Sequence, residues 1–218
     1  KLCLCGDTFT CHQGSRLNKK NLSESDICDK FIRPAIEAAG WNGYDHIYRE
    51  YPLRAGRVVV RGNKAHRDKG TVLKADFVLF LKPNIPLAVV EVKKARLSPQ
   101  AGMQQALNYA TLLDVPFSFA SNGESFVFRD ATLSTGVLEQ TLTLDQFPSP
   151  QELWARYCAW KGWTLEVRQV TEFDYAPSKT PRYYQMNAIN RTVEAIAQGQ
   201  NRAMLVMATG TGKTYTAF

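Results

Sequence analysis

Residues 75–94 read ADFVLFLKPNIPLAVVEVKK, two strongly apolar runs joined by KPNIP. Each run is predicted to form a buried strand, and the linking residues to form a turn. Three charged residues nevertheless lie in or beside these strands: Asp76, Glu91 and Lys93. Because an ionised side chain is costly to bury without a partner, these charges require a compensating cation, a metal or a chemical role.

The alternation of side chains along a strand indicates what these charges can do together. Glu91 and Lys93 are two residues apart and therefore point to the same face. If KPNIP reverses the chain, Asp76 faces them from the neighbouring strand. Two carboxylates and an ammonium would then form a Mg²⁺ site, in which the lysine assists a water that attacks phosphorus. The alternative is a strand edge on which Glu91 and Lys93 simply pair with each other.

The composition is that of an ordinary globular chain of 218 residues, with 44% hydrophobic and 22% charged residues. This length allows one large or two smaller domains. The sequence has no apolar run long enough to span a membrane and no secretory leader, so we expect a cytoplasmic protein without a membrane partner. Cys3, Cys5 and Cys11 lack typical zinc-ligand spacing, and we favour a mobile, reduced leader over residues 1–22.

The net charge of +7 is concentrated in the first half of the chain. Between Arg49 and Lys74 there are eight Lys and Arg residues against Glu50 and Asp68. Such a segment is either a solvated loop or a surface that attracts the phosphate backbone of a nucleic acid. Composition alone leaves both interpretations open.

Local signals place the other elements and favour an α/β fold with helices flanking a central sheet. Ser23 is the expected cap of a helix over 23–39, which Pro34 should kink or break. HIYREYPL (46–53) and RVVVRG (57–62) are short candidate strands. Further signals predict a helix over 98–113, a hairpin at Asn122-Gly123 and a helix that opens with a capping box, Ser149 and Glu152.

A second unit begins after a polar stretch with two prolines. We predict a domain over 23–165, a linker over 166–180 and a domain from 181 to 218. In this last domain an amphipathic helix precedes a short apolar strand, Met204 to Met207, which is followed by TGTGKT. Gly210, Thr211, Gly212, Lys213 and Thr214 match the second half of the Walker A pattern, in which backbone N–H groups and the lysine hold ATP phosphates and the threonine holds Mg²⁺. Efficient hydrolysis also needs acidic and arginine residues that nothing after Thr214 supplies, so we expect the front end of a longer motor.

Two resemblances follow from these motifs. Asp76 with Glu91-Val92-Lys93 resembles the active site of PD-(D/E)xK nucleases, although Ala75 replaces the proline of that name. Gln105 and Tyr109, four residues apart on the next helix, resemble the QxxxY branch of that family. The family implies Mg²⁺ ligation by Asp76, Glu91 and the main-chain carbonyl of Val92. Glu24 stands where some members have a further metal-binding acid, and Tyr184-Gln185 resembles the adenine-reading Q motif of superfamily 2 helicases.

The order of these motifs resembles the restriction (R) subunit of type I restriction-modification enzymes over residues 23–218. The resemblance implies a PD-(D/E)xK domain followed by the start of a RecA-like P-loop helicase domain. It also implies Mg²⁺ and ATP as cofactors, double-stranded DNA as substrate, and methyltransferase and specificity subunits as partners, the former using S-adenosylmethionine. Two alternatives remain: a superfamily 2 translocase whose N-terminal domain only binds DNA, and a non-catalytic interaction module.

Overall fold

The computed structural model describes residues 19–61, 64–173 and 180–217, without the side chains of Lys20 and of residues 54–72. Most of the expected leader, with Cys3, Cys5 and Cys11, therefore lies outside the described residues. The central feature is a six-stranded sheet in which the strands follow sequence order. Its strands are β1 Ile47–Arg61, β2 Lys64–Lys82, β3 Ile85–Val92, β4 Phe117–Ser121, β5 Ser125–Asp130 and β6 Glu139–Thr143.

The sheet is mixed. Strands β3 and β4 are parallel, and every other neighbouring pair is antiparallel. The parallel pair needs a crossover, which a 3₁₀ turn at Pro99–Gly102 and the helix after it provide. The helices are α1 Glu24–Ile27, α2 Arg33–Ala38, α3 Met103–Leu113, α4 Pro150–Lys161, α5 Leu165–Thr171, α6 Tyr183–Ala197 and α7 Lys213–Ala217.

Helices cover both faces of the sheet. On one face, α1, α2 and α4 pack against Phe77, Val90, Val92 and the phenylalanines of β4 and β5. On the other, α3 and the start of α6 pack against Val78, Phe80 and Val89. Burial of both faces explains why β3 reads as a continuous apolar run. Among the described helices, none is long and apolar enough to cross a membrane.

Several predicted caps are present. Ser23 forms a capping box with Asp26, and Ser98 and Ser149 each accept a backbone N–H of the following turn. The Ser149 box is incomplete, because Glu152 pairs with Arg156 instead. Near Pro34 the helical path is not broken: a π-helical segment, Cys28–Ile32, precedes it, and Pro34 lies in the first turn of α2. A proline ring is tolerated there because the first N–H groups of a helix need no intrahelical acceptor.

The two candidate strands 46–53 and 57–62 are confirmed but form one strand: β1 is 15 residues long and pairs with β2 across most of the basic segment 49–74, so the solvated-loop interpretation of that segment does not hold. Two other local predictions are wrong, each because of tertiary context. The predicted linker 166–180 contains most of α5, after which the Phe173 carbonyl accepts a hydrogen bond from Asn84. Met204 to Met207 form no strand, since Met204 and Val206 are exposed and no described strand pairs with them.

Candidate active site and phosphate loop

Asp76 and Val92 join the two strands of the opening stretch. β2 and β3 are antiparallel with Phe77 opposite Val90, so Asp76 lies across from the end of β3. Oδ2 of Asp76 accepts a 2.7 Å hydrogen bond from the Val92 amide. The structure thus connects Val92 to the site through its N–H group, and the predicted metal contact of its carbonyl stays a prediction.

Lys93 is the centre of a side-chain network on the α3 face of the sheet. Its ammonium donates to Oε1 of Glu91 at 3.1 Å and to Oε1 of Gln105 at 2.9 Å. The Gln105 amide donates in turn to the Tyr109 hydroxyl at 2.9 Å. The strand residues and both QxxxY residues therefore meet in one continuous cluster, because α3 packs directly over β3.

The electrostatics of the cluster are strongly perturbed. Burial and the neighbouring Asp76 raise the pKa of Glu91 to about 8. Burial also raises the pKa of Asp76, although the Val92 N–H opposes the shift. Burial disfavours the charge of Lys93, but Glu91 and Asp76 outweigh it and raise the pKa of the ammonium. Lys93 is therefore cationic at neutral pH, whereas the carboxyl pair retains a proton there when no cation is bound.

One oxygen of this cluster has no partner. Oε2 of Glu91 is buried and makes no hydrogen bond, and the Glu91 side chain is only 3% exposed. Such an oxygen is tolerated while the Asp76–Glu91 pair holds a proton, but it is costly once both carboxyls are ionised, and a hard cation such as Mg²⁺ would then satisfy it. Within the described part of the chain, no group of three or more His, Cys, Asp or Glu side chains could hold a metal ion. A cation here would therefore have Asp76 and Glu91 as its carboxylate ligands.

Glu24 begins α1 and is exposed. Its charge contributes to the raised pKa values of Asp76 and Lys93, so it lies within electrostatic reach of the site. Its role as a metal ligand stays a prediction.

The second predicted site lies at the loop before α7. The Gln185 amide donates to the carbonyl of Thr211 at 3.0 Å, and the Tyr184 hydroxyl reaches the same carbonyl at 3.3 Å. Gly210 and Gly212 have φ values of 80° and 85°, which favour glycine. A Cβ on Gly212 would lie 2.5 Å from Nε2 of Gln185, so this loop and α6 could not approach as closely with a larger residue.

A cavity of about 160 Å³ lies beside this contact, lined by Thr180, Arg182, Gln185, Tyr215 and the loop residues 210–212. Lys213 and Thr214 begin α7 and are exposed. The structure thus brings the glutamine and the glycine-rich loop together, while their roles in ATP binding stay predictions.

Comparison with known proteins identifies the family. The chain is 54% identical to the type I restriction enzyme EcoAI endonuclease subunit of Escherichia coli over 208 residues, which is 94% of this chain and 25% of that protein. The chain belongs to the type I restriction R (HsdR) subunit family and corresponds to its N-terminal region. The EcoKI endonuclease subunit of E. coli K12 is 25% identical over 91% of this chain and 21% of its own length. The chain therefore spans about a quarter of these R subunits.

Structural and family comparisons agree. A fragment described as an HsdR subunit of a type I restriction enzyme from Vibrio vulnificus YJ016 matches with a TM-score of 0.79 and 37% identity, over 90% of this chain and 37% of that one. The family model of the type I restriction enzyme R protein N terminus matches residues 64–135. That of the type III restriction enzyme res subunit matches residues 178–218. The two matches fall on the two predicted units of this R-subunit chain.

The sequence analysis missed Gly102, which ends the 3₁₀ turn before α3. A Cβ at this position would lie 3.2 Å from Cγ of Glu91 and 3.4 Å from Cγ of Lys93. In this R-subunit chain Gly102 therefore lets the turn approach both site residues. The available signal was a glycine in the first turn of a predicted helix, where alanine would favour helix formation.

Proposed function

We propose that this chain carries the Mg²⁺-dependent endonuclease domain of a type I restriction motor subunit, of the PD-(D/E)xK class, and the beginning of its ATP-binding domain. The subunit hydrolyses phosphodiester bonds of unmodified double-stranded DNA after ATP-dependent translocation. Methyltransferase and specificity subunits select the DNA. The observation that carries the proposal is the buried, partnerless oxygen of Glu91 beside Asp76 and Lys93.

In this proposal Asp76 and Glu91 would hold Mg²⁺, which would supply charge stabilisation at phosphorus and lower the pKa of water. The residues of the chain do the positioning. Val92 fixes one oxygen of Asp76 through its N–H, and Gln105 fixes the ammonium of Lys93. Because α3 is packed on the sheet, these contacts hold the groups in place before DNA arrives.

The protonation of Lys93 decides between two roles for it. A lysine that removes a proton from water must be neutral, and a raised pKa opposes that state. The cationic state of Lys93 in the metal-free protein favours a role in which it holds the water or stabilises the charge that develops on the phosphate. Tyr109 acts indirectly, since its hydroxyl accepts from Gln105.

At the second site, Gly210 to Thr214 bind the phosphates of ATP, and Gln185 reads its adenine. Supporting this, Gln185 directly contacts the loop that precedes α7. The adjoining cavity offers amide and hydroxyl groups beside the glycines. ATP would then bind where the two predicted motifs of the helicase unit meet.

The deciding experiment measures Mg²⁺-dependent cleavage by the full-length subunit in its complex with ATP. Lys93→Ala should lose at least about 100-fold in cleavage while translocation continues. Lys94→Ala is the matched control, because it is the adjacent lysine and is exposed rather than part of the cluster. Cleavage retained by Lys93→Ala, with translocation intact, would favour the translocase with a DNA-binding domain that does not cut.

A further inference from the structure

Strands β1 and β2 continue together beyond the rest of the sheet. β3 pairs with β2 only from Phe77 to Lys82. Residues 54–61 and 64–73 therefore form a two-stranded antiparallel extension, here called the basic ribbon, and no third described strand lies beside it. At about 3.3 Å per residue, eight residues of β1 extend roughly 26 Å.

The basic ribbon accounts for most of the net positive charge of the chain. It contains six Lys and Arg residues and one Asp, a net charge of +5 against +7 for all 218 residues. These residues are Arg54, Arg57, Arg61, Lys64, Arg67 and Lys69, with Asp68. Like charges concentrated on one extension repel one another, and a bound polyanion would relieve that repulsion.

The strand register arranges these charges further. Arg57 is opposite Asp68, Val59 opposite His66 and Arg61 opposite Lys64. Directly opposed residues share a face and alternate positions share it too. By register, Arg57, Arg61 and Lys64 share one face of the ribbon with Val59, His66 and the single acid, Asp68, so that this face has a net charge of +2. Val58, Val60, Ala65 and Arg67 occupy the other face.

The ribbon leaves the sheet at the end that carries the candidate active site. Asp76 is three residues from Leu73, the last residue of the ribbon, and accepts a hydrogen bond from Val92 at the end of β3. The strand rise puts Leu73 and Asp76 about 10 Å apart. Register shifts between Pro52 and Arg54 and between Ala55 and Arg57 mark bulges, which increase twist and bend a ribbon. A twisted two-stranded ribbon also has the dimensions that fit a DNA groove.

We propose that the basic ribbon binds the phosphate backbone of duplex DNA and holds the duplex against Asp76 and Glu91. This proposal rests on the proposed nuclease function, because it takes the bound duplex to be the DNA that is cut. The interaction is with phosphates rather than bases, since it is charge that the ribbon concentrates. It therefore depends strongly on salt and only weakly on DNA sequence.

The test uses the full-length protein and a duplex of about 30 base pairs, with EDTA and without ATP, so that no DNA is cut or moved. The triple variant Arg57→Gln, Arg61→Gln, Lys64→Gln should bind the duplex at least about tenfold more weakly. The slope of log affinity against log salt concentration should fall by about 3, since each phosphate contact contributes about 0.9. The charge-conserving variant Arg57→Lys, Arg61→Lys, Lys64→Arg should retain both values.

The matched control is Arg33→Gln, Arg129→Gln, Arg168→Gln, which removes the same charge from partly exposed positions outside the ribbon. It should change neither value beyond about twofold in affinity. An unchanged salt slope in the ribbon variant, or an equal loss in the control, would overturn the proposal. So would unchanged DNA affinity together with lost binding of the partner subunits, which would assign the ribbon to an acidic protein.

A second readout needs no variant. Duplex DNA should slow trypsin cleavage after Arg57, Arg61 and Lys64 of the wild-type protein, and an unchanged cleavage rate would contradict the proposal. The result is also separable from the proposed function. If Lys93→Ala still cleaves DNA, the nuclease assignment fails, whereas binding in EDTA reports on the ribbon alone.

Discussion

Oδ2 of Asp76 and the amide nitrogen of Val92 are 2.7 Å apart, so the backbone N–H at the end of β3 donates to a side chain of β2. Asp76 thereby has a structural contact as well as its proposed catalytic one. Asp76→Ala would leave a buried N–H without an acceptor, which costs about 1–3 kcal/mol. Asp76→Asn retains an acceptor oxygen and should cost less.

Chemical denaturation of both variants at pH 6 checks this difference, and a cleavage assay separates it from catalysis. Both variants should lose cleavage under the proposed function, because neither supplies a second anionic ligand. If Asp76→Ala is as stable as Asp76→Asn, the hydrogen bond to Val92 contributes little to folding.

The raised pKa of Glu91 predicts how stability depends on pH in the metal-free protein. The unfolded chain ionises this carboxyl near its ordinary value of 4.5, whereas the folded protein keeps the proton until about pH 8. Its stabilising contribution is therefore complete below pH 4.5 and is lost as the pH rises to 8. We expect a loss on the order of 1–4 kcal/mol across this window.

Denaturation in EDTA from pH 5 to 8 should show this decline in wild type, and Glu91→Gln should abolish most of it. Glu124→Gln, at an exposed glutamate, is the control and should leave the decline intact. Added Mg²⁺ should stabilise the wild type more at pH 8 than at pH 6, because the cation competes with the proton.

Substitution of Gly102 should affect cleavage more than stability. Its φ is −88°, which alanine adopts readily, so Gly102→Ala gains about 0.4–1 kcal/mol from a less flexible unfolded chain. The added Cβ presses on Glu91 and Lys93, however. We expect a change in unfolding free energy within about 1 kcal/mol and a cleavage rate reduced about tenfold or more. Ala101→Gly, at the exposed neighbouring position, should leave cleavage unchanged, and equal activity in Gly102→Ala would show that the site tolerates the displacement.

Two ion pairs that join α6 to α4 and to the end of α3 should differ in strength. Glu194 accepts hydrogen bonds from Lys161 and from the indole of Trp163, and the Glu194 and Lys161 side chains are only 13% and 10% exposed. Glu194→Ala leaves these donors without an acceptor and should cost about 2–4 kcal/mol. The Asp114–Arg191 pair is about half exposed, so Asp114→Asn, which tolerates the left-handed backbone of this position, should cost roughly 0.2–1 kcal/mol. Thermal unfolding of the two variants checks the order, and equal losses would contradict it.

The sequence predicted much of the site because its signals are local. Glu91 and Lys93 share a face through strand alternation, and Gln105 and Tyr109 share one through the helical repeat. From the sequence, contact between these two pairs was supported only by the family resemblance. In the structure, the packing of α3 on β3 brings Gln105 to Lys93. The pairing of Gln185 with the glycine-rich loop likewise joins residues 26 positions apart.

What failed in the sequence analysis depended on distant partners. Residues 49–61 form one long strand because β2 supplies its hydrogen bonds, whereas Met204 to Met207 have strand composition but no described neighbour to pair with. The polar stretch after Trp163 is helical and meets Asn84 near the end of the sheet.

By itself, then, the sequence determined which side chains share a face of a strand, which residues cap helices and which form turns. It thereby determined which charges lie on β2 and at the end of β3. Only the tertiary structure decided how deeply Glu91 is buried, that its second oxygen has no partner, and that Gly102 lies against it. It also decided that the basic segment extends from the sheet at the end that carries Asp76. The reason is physical: burial, desolvation and close approach depend on residues far apart in the chain, which no local pattern records.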